Sequence, residues 1–174
     1  MELLIVVDMQ KDFIDGTLGT KEAQSIIEPV IEEIKNFTGN IVFTMDTHDN
    51  QYLTTQEGSK LPVVHCVKGS EGWHLEDRID ALAKETKAKI FEKPGFGSME
   101  LAQYVKRLYQ EEGLTRVLLI GLCTDICVIS NAMLLKAAAP ELIVEVKESC
   151  CAGVTKESHS NALRAMEMCH ISIV

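Results

Sequence analysis

The sequence predicts an α/β fold: one doubly wound, Rossmann-like sheet of six parallel strands with helices on both faces, forming a single domain over residues 1–174. Three observations predict it. Six short runs rich in Ile, Val and Leu are near-continuously apolar, as strands buried on both faces are. Longer stretches between them carry apolar residues at three and four spacing, the pattern of amphipathic helices. A chain of 174 residues with 46% hydrophobic content is long enough for one complete core and short for two.

The first run, Glu2 to Val7, breaks at Asp8 and reads as a buried strand; it has no basic segment ahead of it and is too short for a leader or a membrane span. A helical pattern from Lys21 to Phe37 leads to the second strand, Asn40 to Met45. The segment Asp46 to Trp73 has mixed polarity, three glycines and a proline, and reads as a long functional loop. A helix over His74 to Glu85 precedes the third strand, Ala88 to Glu92. Ser98 to Glu112 is the next helix, with Leu101, Val105 and Leu108 as its core stripe. Arg116 to Gly121 is the fourth strand, Asp125 to Ala138 a helix, and Leu142 to Val146 the fifth strand. Thr155 to Met168 is the last helix and His170 to Val174 the sixth strand. Right-handed crossovers between parallel strands put these helices on both faces.

A formal charge of −9 and a pI near 5.0, with Lys and Arg scattered, argue against nucleic acid as a partner. Six cysteines without an export signal, two of them adjacent at Cys150 and Cys151, argue for reduced thiols in a cytoplasmic protein rather than a disulfide framework.

Ligands of doubly wound sheets sit outside the carboxyl ends of the strands. Here those ends are polar: Asp8 after the first, Asp46 and His48 after the second, Lys93 after the third, and Cys123, Thr124, Asp125 and Cys127 after the fourth. Thr124 or Asp125 could cap the following helix and place Cys127 in its first turn, where a thiolate is favoured. Asp8 could accept the thiol proton and Lys93 could hold the negative charge. Taken singly, each residue has a plainer reading: a turn cap, a surface lysine, a buried small hydrophobe.

Asp46 and His48 are one residue apart, so an extended backbone points both side chains to one face, and His65 in the long loop could add a third metal ligand. A carboxylate with two imidazoles suits zinc, iron or manganese. Cys66, or Cys123 with Cys127, could instead supply thiolates, and the histidines could simply pair with backbone groups.

The segments VVDMQKDF, TMDTHDN, VVHCVKGSEGWHL, FEKPGFGS and GLCTDICV, in this order over almost the whole chain, resemble the isochorismatase-like cysteine hydrolases and, among them, the nicotinamidase branch. The resemblance implies a catalytic triad of Asp8, Lys93 and Cys127. It also implies a divalent metal, zinc before iron or manganese, on Asp46, His48 and His65. A cis peptide bond before Cys123 and an oxyanion hole from the backbone N–H groups of Cys123 and Cys127 follow from it as well. The implied reaction is hydrolysis of a small amide, nicotinamide first, through a Cys127 thioester. Relatives are often oligomeric, so the resemblance also allows a homo-oligomer.

The aromatic residue expected just before His65 is replaced by Pro62, Val63 and Val64, which leaves Phe13 and Phe96 as candidate pocket walls. Glu57 is the plausible counterpart of a further metal-side residue. Trp73 and His74 could close the long loop over the site. Two alternatives stand beside this reading: a metal-free relative cleaving a vinyl ether or a carbamoyl amide, and a noncatalytic protein with Cys123 and Cys127 as a redox pair.

Overall fold

A computed structural model describes residues 1–174. The strands are β1 (Glu2–Val7), β2 (Asn40–Asp46), β3 (Lys89–Lys93), β4 (Arg116–Leu122), β5 (Ile143–Ala152) and β6 (Ser172–Ile173). They form one sheet in the order β3-β2-β1-β4-β5-β6, every pair parallel. The order reverses direction between β1 and β4, so the crevice at their carboxyl ends is the topological switch point where such sheets bind ligands.

The strands are apolar on both sides because both sides are covered. Leu3, Ile5 and Val7 of β1 point into one core with Leu101, Val105 and Leu135; Leu4 and Val6 point into the other with Val30, Phe43 and Ile79. The first face is covered by α6 (Met99–Glu111), α7 (Ile129–Ala138) and α8 (Lys156–Met168). The second is covered by α3 (Ile27–Asn36) and α5 (Asp77–Glu85). No helix is long and apolar enough to cross a membrane.

Several boundaries differ from the sequence reading. The helix expected over Lys21 to Phe37 is two helices, α2 (Lys21–Ser25) and α3, broken at Ile26. Pro29 explains the break: it has no N–H for the preceding turn and its ring is tolerated only in a helix's first turn, where it lies in α3. The segment Lys11–Ile14 forms a further short helix, α1. The long connection after β2 is not structureless. It holds a 3-10 turn at Tyr52–Thr54, α4 (Gln56–Lys60) capped by the Thr55 side chain, and a second 3-10 turn at Glu71–Trp73. β5 runs on to Ala152 past an irregularity opposite Leu119 to Gly121, and β6 keeps only two of its five expected residues.

Close packing at the switch point depends on Gly121. Its φ of +115° is left-handed, and a Cβ there would lie 2.1 Å from the Val7 carbonyl oxygen, so only glycine lets β4 approach the end of β1.

Candidate active site

Asp8 follows the last residue of β1 with φ +46°, a left-handed conformation that costs a side-chain-bearing residue about 1–2 kcal/mol. Its N–H donates to the Thr44 carbonyl at 3.2 Å and its own carbonyl accepts from Gln10 N–H at 2.7 Å. The turn sends a fully buried carboxylate across the strand ends. Asp8 Oδ1 accepts from Thr44 Oγ1 at 2.6 Å; Oδ2 has no aligned hydrogen bond and meets Lys93 Nζ as an ion pair at 2.6 Å.

Lys93, the last residue of β3, is 1% exposed, which is rare for a lysine and requires compensation. Its Nζ lies 3.4 Å from Cys127 Sγ, 3.5 Å from Asp46 Oδ1 and 3.0 Å from the Gly95 carbonyl, in addition to Asp8. Burial would lower the ammonium's pKa, but the negative charges around it, Asp8 first and Asp46 with it, outweigh that and hold the proton on. Burial pushes the Asp8 carboxyl up, only partly opposed by Lys93, which makes Asp8 a stronger base than an exposed carboxylate.

Cys127 sits in a π-helical turn, Thr124–Val128, that leads into α7. The expected caps are absent. Cys123 occupies the N-cap position, Thr124 Oγ1 pairs with His159 Nδ1 at 2.8 Å, and the Asp125 carboxylate accepts from Val154 N–H at 3.1 and 3.2 Å. The resting thiol is not favoured as thiolate either. Burial, then the charge of Asp8, pushes Cys127 well above an ordinary thiol and overrides the helix N-terminus. Cys123 is pushed up to about 12, chiefly by burial. The Leu122–Cys123 peptide is cis, and Cys123 N–H takes part in none of the fold's hydrogen bonds.

Asp46, His48, Glu57 and His65 each present one ligand atom, all within 4.8 Å of one another. Asp46 Oδ2 lies 3.0 Å from His48 Nε2 and 3.5 Å from His65 Nε2, and Glu57 Oε1 lies 3.7 Å from both imidazoles. Burial alone would raise the Asp46 pKa, but hydrogen bonds from His48 and His65 outweigh it and keep the carboxylate ionised. His65 Nδ1 is paired with the Val63 carbonyl at 2.8 Å, which fixes the tautomer and leaves Nε2 for the cluster. Two imidazoles and two carboxylates converging on one point are a donor set that fits zinc, iron or manganese.

The sequence reading missed residues that hold this arrangement. Gln10 is fully buried and clamps the Asp46 backbone, accepting from Asp46 N–H at 2.7 Å and donating to the Asp46 and Trp73 carbonyls at 2.9 and 2.8 Å. Tyr52 packs its ring against His48 and His65 and donates its hydroxyl to Leu61 O at 2.9 Å. Asn131 joins the Cys127 turn to the loop before α6, donating to Cys127 O at 2.8 Å and accepting from Ser98 N–H at 2.9 Å. Only Gln10 had a sequence signal, as a polar residue beside a strand end. Trp73 does not close over the site; its indole N–H donates to Thr47 Oγ1 at 3.0 Å.

Cys127, Cys123 and three members of the cluster, Asp46, Glu57 and His65, open into one cavity of about 240 Å³, walled by Phe13, Phe96, Leu18, Leu61, Ile126 and Val154. A wider groove of about 760 Å³ lies at the opposite rim, near the starts of β2 and β3, and contains none of these groups.

A switch-point cavity lined by the Cys127 thiol, with buried Asp8 and Lys93 grouped behind it, and by Asp46, Glu57 and His65 of the four-residue cluster defines a cysteine-hydrolase class of site. The isochorismatase domain model matches residues 2–173, and the chain belongs to that family. It is 26% identical to the nicotinamidase/pyrazinamidase of Mycobacterium tuberculosis over 190 aligned positions, covering 100% of this chain and 98% of the relative. Among solved structures it resembles a pyrazinamidase/nicotinamidase from Streptococcus mutans, with TM-score 0.85, 25% identity and full coverage of both chains. It also resembles a pyrazinamidase of Pyrococcus horikoshii in complex with zinc, with TM-score 0.80, 28% identity and coverage of 99% and 98%.

Proposed function

We propose that this protein is a metal-dependent cysteine amidohydrolase that converts nicotinamide, or a closely similar small aromatic amide, to its acid and ammonia. The observation that carries the reading is that Cys127, Asp46, Glu57 and His65 line the same cavity. An amide carbonyl at the thiol therefore leaves the attached ring against the cluster, between Phe13 and Phe96. The similarity to nicotinamidases and pyrazinamidases supports this choice of substrate.

In this reading Asp8 takes the Cys127 proton as the sulfur bonds to the amide carbon. Its raised pKa suits that task, and Lys93, in contact with both groups, balances the charge that moves between them. The carbonyl electrons pass to the oxygen, which accepts hydrogen bonds from the N–H groups of Cys123 and Cys127. Asp8 returns the proton to the departing nitrogen; the C–N bond breaks, ammonia leaves and a Cys127 thioester remains. Asp8 then deprotonates a water that attacks the thioester, and the proton goes back to the sulfur as the acid is released.

Asp46, His48 and His65, with Glu57 as fourth group, would hold a divalent ion, zinc first and iron or manganese as alternatives. Such an ion supplies a Lewis-acid anchor for a ring nitrogen. Reduced thiols at Cys123 and Cys127 suit a cytoplasmic setting.

Intact-mass spectrometry of protein acid-quenched during turnover tests the covalent step. The reading expects a nicotinoyl adduct on Cys127, absent in Cys127→Ala. Rapid turnover with no adduct, even in a slow-deacylation mixture at low pH, would contradict it.

A further inference from the structure

Thr44 lies within β2, fully buried on the face that carries Val42, beside Val7 of β1 and Phe91 of β3. A buried hydroxyl needs a partner, and this one makes a single hydrogen bond: Oγ1 donates to Asp8 Oδ1 at 2.6 Å. The same residue holds Asp8 by the main chain, since the Asp8 N–H donates to the Thr44 carbonyl at 3.2 Å. The two carboxylate oxygens are thereby made unequal. Oδ1 is taken by the hydroxyl, whereas Oδ2 has no aligned hydrogen bond and lies 2.6 Å from Lys93 Nζ, which is itself 3.4 Å from Cys127 Sγ.

We propose that Thr44 is a positioning residue: its hydroxyl stays on Asp8 Oδ1 and so makes Oδ2 the oxygen that takes the Cys127 proton and returns it. The inference rests on the reading above of Asp8 as the base for Cys127. A carboxylate turns readily about its Cβ–Cγ bond, a torsion with broad wells, and can exchange its two oxygens. Donation from Thr44 opposes that rotation in both protonation states. Oδ1 accepts as a carboxylate oxygen and, with the proton on Oδ2, still accepts as the carbonyl oxygen of the neutral acid. A proton on Oδ1 would turn the Thr44 oxygen into the acceptor and leave the Thr44 O–H with no acceptor of its own. Lys93 does not impose the choice alone, because its Nζ is also drawn to Asp46 Oδ1 and the Gly95 carbonyl at 3.5 and 3.0 Å.

The test compares two pairs of side chains that differ by the hydroxyl, Thr with Val and Ser with Ala. Thr44→Val keeps the shape and Thr44→Ser keeps the donor. Thr44→Val and Thr44→Ala are expected to lower kcat for nicotinamide roughly 10- to 100-fold with KM within about twofold, the cost of a misplaced base, while Thr44→Ser stays within about threefold of the parent. A role in packing alone reverses the order, because Val fills the site and Ser leaves it short of a methyl group. The rate at which iodoacetamide alkylates Cys127, followed by peptide mass mapping, is a readout that needs no substrate and should rank the variants in the same order. Zinc content should be unchanged in all three, although Asp46 is two residues away. Thr44→Val at the parent's rates with Thr44→Ser impaired, or a loss of activity that tracks a loss of zinc, would overturn the proposal; should Thr44→Val not fold, the Ser and Ala variants decide. If the parent does not hydrolyse nicotinamide but Cys127 is alkylated faster than in Asp8→Asn, the substrate assignment fails and the alkylation series decides the role of Thr44. If Asp8→Asn leaves that rate unchanged, Asp8 is not the base and the proposal falls with it.

Discussion

The Asp12 carboxylate accepts a 2.7 Å hydrogen bond from the backbone N–H of Cys66, the residue after His65. Cys66 has φ +46°, so this bond holds a left-handed turn that aims the His65 ring at the cluster. Asp12 Oδ1 also receives the Thr17 N–H and hydroxyl at 3.4 and 3.3 Å, and Gly72 presses on the same carboxylate so closely that a Cβ would lie 2.1–2.2 Å from it. Asp12→Ala and Gly72→Ala should therefore each weaken metal retention, by roughly 10- to 100-fold. Zinc titration against a competing chelator measures this, with circular dichroism as the check on folding. Unchanged zinc affinity in both variants would show that His65 needs no such support.

Lys93 neutralises a fully buried carboxylate. Lys93→Met should destabilise the fold by about 3–5 kcal/mol, because Asp8 is left buried and unpaired. The pH dependence has a definite sign. Burial raises the folded-state pKa of Asp8 above its unfolded value, and removing Lys93 removes the main opposing charge. The raised group's stabilising contribution is fully present below the unfolded pKa and is lost as pH rises through the folded one. The penalty in Lys93→Met should thus be largest near neutral pH and shrink toward about pH 4, and Asp8→Asn combined with Lys93→Met should largely remove the pH dependence. Urea unfolding across that range is the measurement.

Gly121→Ala should cost about 3 kcal/mol or more, since it combines a left-handed φ with a Cβ 2.1 Å from Val7 O. Because Val7 precedes Asp8, activity should fall further than the folded fraction does. Comparing kcat per folded molecule with the thermal midpoint separates the two effects.

Phe96 is 48% exposed while lining the cavity, so it contributes little to the core and is available to a ring. Phe96→Ala should raise KM for nicotinamide about 5- to 20-fold and change kcat little, the pattern of lost uniform binding. A matching fall in kcat would place Phe96 in the transition-state contacts instead.

Alternation of apolar runs with amphipathic stretches made the sheet legible, because strands covered on both faces leave an unmistakable continuous pattern. The strand ends were legible too: Asp46 and Lys93 stood one residue beyond the apolar runs, and pairing extends through both. What did not show was whatever depends on contacts between distant segments. The break at Ile26 followed from Pro29, a local signal overridden by the longer helical pattern. Tyr52 and Asn131 had ordinary sequence neighbours, and only the fold brings them to the histidines and Cys127. The protonated state of Cys127 was hidden for the same reason. Helix position can be read from sequence, whereas the burial that outweighs it cannot.

Under the proposed function, Cys127 and the Asp46-His48-Glu57-His65 cluster serve one reaction at one cavity. Ammonia release from nicotinamide by the zinc-replete protein tests it most directly, measured with and without exhaustive chelation and alongside Cys127→Ala. Turnover is expected to fall by about 10⁴-fold or more in Cys127→Ala and to be abolished by chelation until metal is restored. Metal-replete protein that releases no ammonia, or release that persists without Cys127, would contradict it.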